Sequence, residues 1–241
     1  MTDAEFRRAG WGLLVAMIGA SVLFRQIPQV DLWVAALFYD GAGGFLGAGA
    51  GWQFARHAIW DFALVVFALS GLAALVAWRR QRPVWAVPAR IWGYIFALFL
   101  LAPGLLVNGF LKANSGRARP AHLAEFGGDK IFTPAWTFTD QCDANCSFVS
   151  GEVSGVVALA VALMILGALW RRILPVWVSL PLHAASGAMV AFVILQRIAQ
   201  GRHFLSDVTF AVLLTLVVAW GLWGLFGRGW FAALRKPPGK S

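Results

Sequence analysis

The chain has 241 residues, of which 60% are hydrophobic and 13% charged, and its mean hydropathy is +0.72. Soluble domains carry about a quarter of their residues as charges, so the composition excludes an ordinary soluble domain and points to an integral membrane protein. The net charge of +9 lies mainly in short loops between apolar runs, where membrane topology explains it, and with no recognition motif beside it nucleic-acid binding is excluded.

In chain order, six runs reach the roughly 20 apolar residues needed to cross a bilayer. They fall near 9–25, 58–78, 91–111, 149–170, 175–196 and 207–227. The first follows Arg7 and Arg8 as a signal peptide would, but no small-x-small cleavage site comes after it, and it reads as a retained anchor. Between the first two runs, "VDLWVAALFYD" packs apolar and aromatic residues between Asp31 and Asp40 yet is too short to cross, which predicts an interfacial helix near 31–40. Trp78, Trp92, Trp170 and Trp177 flank apolar runs, as residues at headgroup level do.

The basic residues orient these runs. Arg7 and Arg8, then Arg79, Arg80, Arg82 and Arg90, then Arg171 and Arg172, then Arg228, Arg235, Lys236 and Lys240 fall on one side, which the positive-inside rule assigns to the cytoplasm. The expected fold is all-α and polytopic: six transmembrane helices with both termini cytoplasmic, a short interfacial helix, and one domain over 1–241 ending in a flexible tail at 235–241. Segments 26–57, 112–148 and 197–206 then face outward. Cys142 and Cys146 lie in the second of these, where an oxidising compartment would favour a disulfide and free thiols are the alternative. The neighbourhood offers too few ligands for a metal site.

Several outward cations run against the positive-inside rule. Lys112 and Arg119 follow the third run in "LKANSGRARP", Arg197 ends the fifth in "LQRIAQGRHFLSD", and "VSGE" opens the fourth. Arg offers a planar fork of donors, Lys a point charge, and the helix start near Ser150 and Gly151 free backbone N–H groups, a set suited to phosphate. Snorkelling explains one such cation well and three poorly. His203 and Asp207 are four apart; on one helix face the carboxylate would accept from one ring nitrogen and leave the other as a nucleophile.

These residues resemble the type 2 phosphatidic acid phosphatase superfamily in its six-helix bacterial branch. "KANSGRARP" reads as K-x6-R-P, "VSGE" stands where P-S-G-H is usual, and "RIAQGRHFLSD" reads as R-x5-H-x3-D. The resemblance implies that Lys112, Arg119 and Arg197 bind phosphate oxygens with Ser150 and the Gly151 backbone. His203, oriented by Asp207, would form a phosphohistidine that water hydrolyses, with no metal or other cofactor required. The partners implied are a membrane lipid phosphate and the bilayer. The location implied is a bacterial inner membrane with the site facing the periplasm.

Three positions depart from the pattern: Val149 for proline, Gln196 for serine, and Glu152 for the histidine that protonates the leaving oxygen. Glu152 has three readings: general acid, organiser of the cations around a good leaving group, or a contact to a substrate hydroxyl or amine. The "CSFVSGE" variant resembles a lipid A 4'-phosphatase-like branch. Phosphatidylglycerophosphate and undecaprenyl diphosphate phosphatases share the scaffold, and the same residues would also suit a lipid phosphotransferase or a non-catalytic lipid binder or transporter. Among lesser candidates, Asn108 would line the pocket, Asp61 would pair with a cradle cation, and Arg117 and Arg202 would contact a headgroup. His57 and His122 read as loop histidines, Lys130 as solvated, and His183 as belonging to the cytoplasmic half.

Overall fold

The computed structural model describes residues 2–171 and 176–226, without the side chains of 176–179. The expected tail at 235–241 lies outside the described residues. Among the described residues eight α-helices follow in chain order: α1 Asp3–Gln26, α2 Gln29–Ala36, α3 Ala50–Arg80, α4 Ala89–Phe99, α5 Lys112–Asn114, α6 Gly151–Trp170, α7 Val176–Ala199 and α8 Leu205–Phe226. A π-helical stretch, Leu100–Leu111, joins α4 to α5, so Ala89–Asn114 runs as one span. Among the described residues six helices are long and apolar enough to cross a membrane, each overlapping one of the expected runs.

Their order of burial follows from side-chain size. In α6 the residues Ser154, Gly155, Ala158 and Ala162 are buried, and 67% of its most apolar window is buried, against 6% for α1. Small side chains let neighbouring helices approach closely, and packing rather than a hydrophobic gradient holds helices together in lipid. Gly155 accordingly faces Trp60 of α3. The Ser154 and Thr215 hydroxyls meet at 2.7 Å between α6 and α8, and the Tyr94 hydroxyl donates to the Ala219 carbonyl at 2.9 Å. Helix α1, outermost, stacks Phe6 on Trp220 with ring centroids 4.7 Å apart.

Two local features shape the end that carries the connecting loops. Pro103 has no N–H to donate, and the helix around it widens into π turns, with Asn108 Nδ2 donating to the Pro103 carbonyl at 2.6 Å. The short helix expected near 31–40 spans Gln29–Ala36: Asp31 and Ala35 form its buried face, while Trp33 and Leu37 are exposed. Beyond it, Phe45, Leu123, Phe126 and Phe204 form a small apolar cluster over the loops that hold the charged residues.

Candidate active site

The spacing R-x5-H is the geometry of a helix end. Gly201 takes φ +64°, its N–H donates to Ile198, and the Arg202 N–H donates to the Arg197 carbonyl. This is a Schellman cap. It places Arg197 in the last turn of α7 and reverses the chain so that His203 follows directly. A side chain at Gly201 would also strike the Phe45 ring at 2.6 Å.

Asp207 sits in the first turn of α8, where its Oδ2 reaches back to the Phe204 N–H at 2.8 Å, the carboxylate half of a capping box. The same oxygen accepts from the Ser147 hydroxyl at 2.5 Å, and Oδ1 accepts from Arg117 at 2.6 Å. His203 precedes α8, so it does not stack on Asp207 as two residues of one helix would. Nδ1 lies 2.8 Å from the Ser147 carbonyl and 3.7 Å from Asp207 Oδ2. The Ser147 carbonyl thus takes the hydrogen-bonding position expected of the carboxylate, with Asp207 behind it on the same ring nitrogen. Both neighbours are acceptors, which assigns the proton to Nδ1 and leaves the Nε2 lone pair available. Burial holds His203 down to about 4; Asp207 opposes this, and Lys112 and Arg119 add to it.

The cations are held in two groups. Lys112 Nζ donates to the Asn145 side-chain oxygen and Arg119 to the Asn145 carbonyl, both at 2.7 Å. Asn145 lies within the loop that the Cys142–Cys146 disulfide closes, and its φ of +52° turns the chain toward both cations. Burial, and then Arg202 nearby, lower Arg119 from the ordinary guanidinium value. Arg197, 5% exposed, donates to Gln196 at 2.8 Å, to Glu152 at 2.9 Å and to Gln200. Gln196, where serine is usual, thus supports the arginine beside it.

Ser150 caps α6, its hydroxyl accepting from the Val153 N–H. At Gly151 a Cβ would clash with Asn108 Oδ1, so only glycine fits while Asn108 holds its place. Asn108 therefore stands beside the helix start. It also borders an apolar cavity of about 230 Å³ lined by Trp60, Leu64, Phe99 and Leu100. Glu152 accepts from Arg197 on one oxygen and from Arg56 on the other, each at 2.9 Å.

Two expectations are corrected. Arg117 is not placed for a headgroup: it is 1% exposed, and its guanidinium is taken by Asp31, Asp207, Ser206 and the Thr133 carbonyl. Desolvating a cation so deeply requires such partners. Asp61 is exposed and, among the described residues, makes no ion pair with the cradle; Arg56 occupies the position beside Glu152 instead. Arg202 is half-buried, close enough to Arg119 and His122 to act on both electrostatically.

Sequence reasoning passed over Arg56, Asn145, Ser147 and Asp31. Arg56 carried the signal that marked Lys112, a cation at the end of a span opposite the arginine-rich loop of residues 79–90. Asn145 and Ser147 act partly through the backbone and leave no such trace.

The model for the PAP2 superfamily matches residues 90–230. The chain is 30% identical over 225 residues to the lipid A 4'-phosphatase of Francisella tularensis subsp. novicida, covering 89% of this chain and 94% of that one. It is 32% identical over 222 residues to the lipid A 4'-phosphatase of Rhizobium leguminosarum, covering 86% and 89%. Among solved structures it resembles a transmembrane PAP2-type phosphatidylglycerolphosphate phosphatase from Bacillus subtilis, with a TM-score of 0.57 and 16% identity over 94% of this chain and 98% of that one, a likeness of fold. With the matched region reaching from α4 to the end of α8 and enclosing Lys112, Arg119, Glu152, Arg197, His203 and Asp207, the chain belongs to the PAP2 superfamily.

Proposed function

We propose that the chain hydrolyses the phosphate monoester of a membrane lipid through a phosphohistidine on His203, with the lipid A 4'-phosphate as substrate. The observation that carries the chemistry is the setting of His203: Nδ1 faces two acceptors, Nε2 makes no hydrogen bond among the described residues, and Lys112 and Arg119 act on the ring. The Nε2 lone pair forms the N–P bond as the ester P–O bond breaks. The departing oxygen takes a proton from water, and a second water then breaks the N–P bond and releases inorganic phosphate. Lys112, Arg119, Arg197 and the N–H groups at the start of α6 neutralise charge on the phosphoryl oxygens. The metal-independent reading rests on these cations.

Glu152 fits the organising role among its three readings. Held between Arg56 and Arg197, its oxygens already accept from two guanidinium groups and are not arranged to donate. The relatives that cover most of the chain support the lipid A assignment. An inner-membrane protein with its site on the periplasmic side is supported by the Cys142–Cys146 disulfide at the site end and the arginines 79, 80, 82 and 90 between α3 and α4.

The deciding assay is phosphate release by purified protein in detergent with EDTA, from lipid A, phosphatidylglycerophosphate, phosphatidic acid and undecaprenyl diphosphate. Release from lipid A that His203→Ala abolishes is the expected result. Release from another lipid would reassign the substrate. Binding that survives His203→Ala with no release by the wild type would favour the non-catalytic binder.

A further inference from the structure

The buried ion network around Asp207 extends beyond the three motifs. Asp31, on the inner face of α2, is 1% exposed. Its Oδ1 accepts from the Ser206 backbone N–H at 2.8 Å, and its Oδ2 from the Ser206 hydroxyl at 2.6 Å and from Arg117 at 2.8 Å. Arg117 gives its other terminal nitrogen to Asp207 at 2.6 Å and to the Ser206 hydroxyl at 2.9 Å, and its carbon lies 4.3 Å from the centre of the Phe204 ring.

Two buried carboxylates therefore share one guanidinium. A buried arginine needs one carboxylate for neutrality, and a second adds desolvation cost that packing does not require. With all its partners donating, Asp31 is arranged as the charged form, although burial pushes its proton affinity above the ordinary carboxylate range, with Arg117 opposing and Asp207 adding to it. The Asp31–Arg117–Asp207 group then keeps one net negative charge, and Asp207 is its member nearest His203, at 3.7 Å.

We propose that Asp31 is a positioning residue for His203 and Asp207: it occupies half of Arg117 and the first turn of α8, fixing Asp207 and preventing Arg117 from neutralising it. The positive charge that develops on the imidazole as Nε2 attacks phosphorus then stays balanced. This inference rests on the phosphohistidine reading. It adds to that reading a residue 172 positions before the nucleophile, on a helix outside the matched region.

The test compares Asp31→Asn, which keeps shape and removes charge, with Asp31→Glu, which keeps charge. Acid-labile, base-stable phosphohistidine is trapped from wild type with radiolabelled lipid phosphate. If wild type yields none, the mechanism fails, and the inference falls with it. Given a trapped intermediate, Asp31→Asn is expected to slow its formation and kcat about tenfold with KM within about twofold. It should also move the acid limb of kcat/KM to lower pH, because one negative charge acting on His203 is gone. The other charged groups acting on His203, namely Asp207, Lys112, Arg119 and Glu152, are unchanged, as are Arg117 and Asp207 facing Asp31.

Asp31→Glu is expected to recover part of the rate. A lowered thermal midpoint with kcat and the acid limb both unmoved would make Asp31 a fold element only and overturn the inference. If Asp31→Asn does not fold, Ser206→Ala removes only the hydroxyl joining Asp31 to Arg117. A fall in kcat of about threefold at constant KM is then expected, and an unchanged kcat overturns the proposal.

Discussion

Glu152 and Arg197 form a direct ion pair across α6 and α7, 2.9 Å from Oε1 to the guanidinium, and Arg56 of α3 closes the other side of the carboxylate at 2.9 Å. Three helices are thereby tied at the point where the fourth span begins. Both carboxylate oxygens of Glu152 are thereby occupied by guanidinium groups. Glu152→Gln is expected to lower kcat/KM about tenfold, mainly through KM, the scale of one charge-assisted hydrogen bond. The alkaline limb of kcat should not move. A collapse of that limb in steady-state pH profiles would instead identify Glu152 as the general acid.

His203 gives the pH dependence its sign. Held down to about 4 by burial, the ring is neutral through physiological pH. Turnover is expected to persist to well below pH 6.5 and to fall as pH drops through about 4. The same shift affects stability. Because the folded value lies below the unfolded one of about 6.5, the contribution is complete above that value and is lost as pH falls from about 6.5 to about 4. A pH series of kcat/KM together with thermal midpoints reads both effects; an acid limb near 6.5 would mean that the ring is hydrated rather than buried.

The disulfide loop serves the cations through Asn145. Asn145→Ala, or reduction of the Cys142–Cys146 bond, removes or loosens the oxygens that hold Lys112 and Arg119. Either change is expected to raise KM by about three- to tenfold with a smaller change in kcat. Titrating activity against dithiothreitol, with the Cys142→Ser variant as an insensitive control, measures this.

Gly151 and Asn108 form a coupled pair. Gly151→Ala drives a Cβ into Asn108 Oδ1 and is expected to reduce activity by about tenfold or more. Adding Asn108→Ala should restore part of it, and a double-mutant cycle of kcat/KM measures the coupling.

Gly201→Ala acts on stability. It forces a side chain into a left-handed turn, at a cost of about 1–2 kcal/mol, and against the Phe45 ring. Its thermal midpoint should fall accordingly, and an unchanged midpoint would mean that the cap relaxes.

The sequence by itself determined that this is a six-span helical membrane protein and which motif residues gather at one end of it. Hydrophobic length sets the spans, and cations at the ends opposite the arginine-rich loop of residues 79–90, as at Lys112, Arg119 or Arg197, stand out against a strong topological rule. Even the R-x5-H spacing follows from local backbone geometry, since a Schellman cap needs only Gly201 after the last turn of α7. The partners of each charge were decided only in three dimensions. Arg117 and Arg119 are two residues apart in one loop, yet the first is sealed between Asp31 and Asp207 and the second reaches Asn145 at the cradle. Glu152 takes Arg56, 96 positions away, rather than Asp61 taking a cation. A buried charge must be satisfied by whatever the packing of distant segments brings within about 3 Å, and no local pattern in the chain encodes that meeting.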